Sequence, residues 1–267
     1  MTHLRRASHL SRVVCIAVLS AIGASPDLVA REMPGAMRIA VAPGAAEPAG
    51  SQAQAVPFPT MAPFQQYLPP DRNSEIDLAR SAAPAALSGK ASVLVLTPRG
   101  YEKAATGTNG FVCMVDRAWL GTFGDPEFWN PKVRSPVCLN PQAAKAVLPI
   151  VHKRTGLVLA GLSKTEIMSR IKTAFERKEL NLPEIGAMSY MMSKEQHLSD
   201  QVHHWHPHLM FYLPGTVESA TWGANLLDSP VVAGPGRLPD GSREPIHIFL
   251  VPVGQWSDGT AAPPGHH

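Results

Sequence analysis

Only three cysteines occur in 267 residues, aromatic side chains make up 6% of the chain, and no apolar run reaches eighteen uninterrupted residues. The first shortage excludes a small scaffold held by many disulfides, and no Cys-x-x-Cys pair supports a zinc or redox site. The missing apolar run excludes a spanning helix of ordinary length. One-sided charge is lacking too: 24 basic residues against 21 acidic leave a net charge of +3, without the concentrated basic face of a nucleic-acid-binding domain. No nucleic-acid partner is expected. There is no Gly-x-Ser-x-Gly elbow for a nucleophilic serine, and no glycine-rich phosphate loop; GTNG at 107–110 and GPG at 234–236 read as turn and loop. Proline is the residue in excess, with 26 in the chain, near twice the usual share of about 5%.

The N-terminus carries an address. Arg5, Arg6 and Arg12 precede an apolar stretch from Val13 to Ala24 that is followed by small residues and Pro26, the order of a secretory signal. A helix of that length spans about 18 Å, short of the roughly 30 Å bilayer core, so a membrane anchor is not expected after cleavage. Cleavage is expected after Ala30, with Ala24 as the alternative, which makes residues 1–30 a signal peptide and the mature protein exported, periplasmic or extracellular. Without residues 1–30, which hold three arginines and Asp27, the formal charge falls from +3 to +1. Cys15 leaves with the signal. Cys113 and Cys138 remain as an even pair in an oxidising compartment, and a disulfide is expected, stabilising the fold by about 3.5 kcal/mol through loop closure.

Residues 41–70 hold seven prolines and one charged residue, Glu47, so 31–72 read as a Pro/Ala-rich disordered linker. From Asn73 the pattern becomes periodic. Ser74 can cap a helix over EIDLARSAA that Pro84 stops. SVLVL (92–96), a turn at 97–100, a strand near 101–105, an Asn109-Gly110 turn and FVCMVDR (111–117) read as an antiparallel meander. In that last strand Val112, Met114 and Asp116 share a face, which the aspartate marks as only partly buried. Asn140-Pro141 opens a helix over 143–152 interrupted at Pro149, and the Ser163/Glu166 capping box opens another toward Leu180. AMSYMM (187–192), HLMFYL (208–213) and IHIFLVPV (246–253) add strands. The expectation is a single α+β domain over 73–258, an antiparallel sheet of five or six strands with two or three helices packed on it, followed by a flexible tail at 259–267.

The densest group of functional atoms is QVHHWHPHLMFY (201–212). In extended backbone His204, His206 and His208 point to one side and His203 and Trp205 to the other. Imidazoles two residues apart on a strand can share one divalent ion such as zinc, with His247, Glu218 or Asp116 as the further ligand. The alternative for the same residues is a structural corner whose imidazole N–H groups satisfy backbone carbonyls. Aromatic loops form a second group: Trp119, Phe123, Phe128 and Trp129 in one stretch, Trp222 with Asn225 in another. They offer either a ligand surface, to which Trp205 would add, or side chains that pack loops onto the core.

Two resemblances add to this. HWHPHLM resembles the histidine-triad motif, which implies His206 as a nucleophile on a nucleotide phosphate with His204 and His208 in support. Across residues 73–260, phrases such as EIDLARSAAP, TNGFVC, DPEFWNPKV, GAMSYMMS, HWHPHLMFYLP and WGANL resemble a set of uncharacterised exported bacterial proteins without assigned activity, which implies one exported domain of this length. Three functions follow as expectations: an exported ligand- or metal-binding module using the histidines, a hydrolase acting on a small phosphorylated or ester substrate through them, or an envelope structural or interaction protein.

Overall fold

The structure, a computed structural model, describes residues 58–201, 204–234 and 236–263. The expected signal peptide, most of the expected linker, His203 and the terminal histidines lie outside these residues. Among the described residues, four α-helices and eight strands form an α+β fold around one sheet. The sheet is larger than the five or six strands expected.

Helix α1 spans Arg72–Arg80, and its cap is Asp71 rather than Ser74. Asp71 Oδ1 accepts from the N–H groups of Asn73 and Ser74, both at 2.9 Å. A carboxylate both caps and complements the positive helix end, so it prevails over a hydroxyl three residues later. Residues before α1 also pack on the core. A 3-10 turn at Phe64–Tyr67 places Tyr67 at 0% exposure, with its hydroxyl donating to Trp129 O at 2.6 Å. Phe58, Met61, Phe64 and Leu68 pack against the core beside Tyr67, and this burial acts against the entropy of ordering the proline-rich lead. At the other end, Trp256 N–H donates to Thr260 O and Ala262 N–H to Gly254 O, so residues up to Ala262 fold back instead of trailing.

After the short helix α2 (Ala85–Ser88), strands β1 (Ser92–Thr97) and β2 (Gly100–Ala105) form the expected hairpin, with Thr97 opposite Gly100. β3 (Val112–Asp116) departs from the meander: it lies on the other side of β1 and parallel to it, Ser92 opposite Val112. The connection crosses under the start of β1, where Thr108 N–H and Asn109 N–H donate to Lys90 O and Ser92 N–H donates to Phe111 O. A side chain at Gly107 would collide with the Ser92 backbone, so the crossing depends on that glycine. β4 (Ser135–Leu139) is antiparallel to β3, with Cys113 directly opposite Cys138, Cα atoms 4.0 Å apart and the sulfurs at bonding distance. β5 (Met188–Met191), β6 (His208–Pro214), β7 (Val232–Ala233) and β8 (Ile246–Pro252) complete the order β2-β1-β3-β4-β5-β6-β8-β7.

Helix α3 (Pro141–Leu159) runs through Pro149 without ending there. Its buried residues Val151, Arg154, Thr155 and Val158 lie beyond the proline, and their packing outweighs the lost hydrogen bond. Helix α4 (Lys164–Glu176) opens with the expected capping box and buries Ile167 and Ile171. Alternation along the strands then sorts the core. Leu94, Leu96, Met114, Val137 and Leu139 face α3 and α4. Val93, Val95, Cys113, Val115 and Cys138 face Ala79 of α1.

Candidate functional site

Where the sheet runs toward β6 and β8, α3 and α4 leave it and enclose a cavity of about 370 Å³. Its floor is sheet: Asp116 at the end of β3, Ser135 of β4, Met191 of β5, Met210 and Tyr212 of β6, and Ile246 and Ile248 of β8. The roof is Val147, Ile150, Val151 and Arg154 of α3 with Met168, Ile171 and Phe175 of α4. The loop after β3 closes one side. Trp119 at 0% and Phe128 at 1% exposure pack into the core, and Phe123 lines the cavity.

Among the charged residues that line the cavity, Arg154 and Asp116 are the two with a buried polar atom that has no partner. Arg154 is 8% exposed. Its Nη2 donates to Gly121 O at 2.8 Å and its Nη1 to Leu120 O at 3.3 Å, the guanidinium lies 4.3 Å over the Phe123 ring, and Nε has no partner. Burial lowers its pKa to about 10, so it stays charged at neutral pH. Asp116 Oδ1 is buried without a partner. Burial pushes this carboxyl up to about 7, against the pull of Arg117 and Arg154. Glu244, in the loop before β8, is raised by burial as well and opposed by Arg154 and His247. Tyr212 shares a hydrogen bond of 2.9 Å with Ser189 Oγ, and burial raises its pKa.

The contrast with Arg117 is instructive. That side chain is also buried, yet Nη2 meets Glu75 Oε1 at 2.7 Å, Nε donates to Tyr67 O at 2.7 Å and Nη1 to Val115 O at 2.8 Å. Among the described residues no carboxylate forms such a pair with Arg154. A buried cation without a counter-charge is costly, and the cavity beside it is where a partner can enter.

In the histidine cluster, His208 meets a backbone carbonyl. β6 begins only at His208, so residues 204–207 do not alternate as a strand. His208 is 2% exposed, its Nδ1 lies 2.7 Å from His206 O, and its ring meets the Trp205 ring at 4.7 Å. Burial lowers its pKa to about 4, leaving a neutral imidazole that donates to the carbonyl. His204 is exposed beside Trp256, and His206 is half-buried. None of the three expected further ligands joins them. His247 pairs with Leu213, at the far end of β6 and on the opposite face, its Nδ1 2.9 Å from Val217 O. Glu218 is bonded to Arg243. Asp116 is three strand spacings away, about 14 Å. Among the described residues, no three His, Cys, Asp or Glu side chains are placed to hold a metal ion.

Trp222 and Asn225 also serve the fold. Trp222 stacks on Phe249 at 4.9 Å, on the face away from the cavity. Asn225, at φ 62°, bonds the backbone of Ala233 with both ends of its amide, each at 3.0 Å, and so holds β7.

Arg154, Glu244 and Tyr212 were not singled out by sequence. The signal for Arg154 was present: it falls on the Val151–Val158 stripe, a charge on the apolar face of a helix. No protein-family model, curated protein or solved structure matches the chain. Among the described residues no helix is long and apolar enough to cross a membrane.

Proposed function

We propose that this is an exported binding module whose ligand, a small and mainly apolar molecule, occupies the cavity between the sheet and helices α3 and α4. One observation carries the reading: a mainly apolar cavity of about 370 Å³ lined by a buried arginine and a half-buried aspartate, each with one buried polar atom that has no partner. Sites of this volume, apolar with a few convergent polar groups, are the usual form of small-molecule pockets. Export is supported by the Arg5-to-Ala24 pattern and by the opposed cysteines. The histidines give metal binding or hydrolysis less support, because His208 is spent on a backbone carbonyl and, among the described residues, no group of three metal-ligating side chains forms.

The test is titration with the neutral fluorophore N-phenyl-1-naphthylamine. Wild-type protein is expected to bind it with enhanced emission, and Met168→Trp, which fills the cavity from a half-buried position on α4, is expected to weaken binding at least about tenfold, the loss expected when a pocket no longer admits the ring. Unchanged binding by a folded Met168→Trp protein would place the fluorophore elsewhere and sink the proposal.

A further inference from the structure

We infer that the natural ligand is an aliphatic monocarboxylic acid, its carboxylate set against Arg154 and Asp116 and its chain laid along the apolar wall formed by α3, α4, β6 and β8. This rests on the cavity being a binding site, and it names the class of molecule the site takes.

The sign of the charge follows from Arg154. It is the cavity's one deeply buried cation without a carboxylate partner among the described residues, whereas the other buried arginine of this region, Arg117, is paired with Glu75. Asp116 is the carboxyl that could have neutralised Arg154. It forms no ion pair with it, and burial raises its pKa to about 7 against the arginine's attraction, so a protonated fraction persists at neutral pH. A protonated Asp116 is a hydrogen-bond donor, and a carboxylate between it and Arg154 would accept from both. Glu244, also raised by burial, is a further carboxyl of the lining.

The number of charges follows from how the guanidinium is held. Leu120 O and Gly121 O each take one arm of the fork and Phe123 covers one face, which leaves the Nε edge as the part with no partner. A phosphate or dicarboxylate needs several donors and two positive charges. Of the cavity's other cations, Arg117 is paired with Glu75 and Lys172 with Asp240, which leaves the single Nε edge of Arg154 to meet one negative charge. The shape of the rest is set by Val147, Ile150, Met168, Met210, Ile246 and Ile248, which carry no hydrogen-bonding side chains and suit methylene groups.

The experiment displaces bound N-phenyl-1-naphthylamine with three ligands of one chain length, octanoate, octanol and octylamine. Octanoate is expected to compete at least about tenfold better than octanol, reflecting a hydrogen bond to a charged group, and octylamine is expected not to compete. In Arg154→Gln the advantage of octanoate over octanol is expected to vanish while octanol is unaffected. In Asp116→Asn, which keeps the volume and a donor, octanoate binding is expected to persist. Preference for octylamine, or equal competition by octanoate and octanol in the wild type, would overturn the inference while fluorophore binding upholds the cavity as a site. Should Arg154→Gln fail to fold, the ligand series on the wild-type protein decides alone.

Discussion

Asp116 and His208 titrate against one another. Asp116 keeps its proton to about pH 7 in the folded protein, whereas the unfolded carboxyl loses it near 3.9. Between those values the folded state binds the extra proton, so stability falls as pH rises through this window and the loss is complete above it. His208, lowered to about 4 from about 6.5 in the unfolded chain, acts in the opposite sense: acidification charges the unfolded state first, so stability falls as pH drops from about 6.5 to 4. The two slopes largely offset. Asp116→Asn is expected to remove one of them, steepening the loss of stability between about pH 7 and pH 4 by on the order of 1–3 kcal/mol; the lower part of this range applies if the cavity hydrates the carboxyl. Urea denaturation at about pH 7 and about pH 4 measures the difference, and parallel behaviour of variant and wild type would show that Asp116 titrates as an ordinary carboxyl. Asp116 was legible as a charge in an alternating apolar strand. Its meaning was not, because the partner that gives it one, Arg154, comes from a helix nearly forty residues on.

At the scale of elements, caps and local turns were readable and crossings were not. The Asn140 cap, the Ser163/Glu166 box and the Thr97–Gly100 turn depend on neighbouring residues and stand as the sequence implied. β4 was missed because Pro136 argues against a strand. It is tolerated there because β4 meets β5 only through Cys138 and Leu139, beyond the proline. The parallel seat of β3 was equally hidden, since it depends on a close approach of Gly107 to a strand fifteen residues earlier. α1 is attached by a device that pattern alone does not show: Glu75, on its buried face, meets Arg117 at the end of β3. Glu75→Ala leaves that guanidinium buried and uncompensated, and is expected to cost about 3–5 kcal/mol, read from the denaturation midpoint. A loss below about 1 kcal/mol would mean that the pair contributes no more than a surface ion pair.

For the molecule as a whole, the succession of strand and helix patterns indicated the class of fold, while the cavity arose only when helices from the middle of the chain met strands from both ends. The paired cysteines, in contrast, were legible from parity alone. They enclose a separation of 25 residues that includes Arg117 and the loop over the cavity. Cys113→Ala with Cys138→Ala is expected to destabilise the fold by about 3.5 kcal/mol through loop entropy, and to weaken fluorophore binding by freeing that loop. Equal stability of the double variant and the wild type would show that the bond constrains nothing the strands do not already fix.

The order of the sheet bears on how the chain assembles during synthesis. Every strand from β2 to β6 pairs with one that precedes it, so each newly made segment meets a finished edge and none has to wait for its neighbour. Sequential addition keeps unpaired edges brief and limits the exposure that leads to aggregation. Only at the end does the order reverse: β7 has no seat until β8 is made. β8 carries Ile246 and Ile248, so the last strand to be synthesised is also the one that completes the cavity floor.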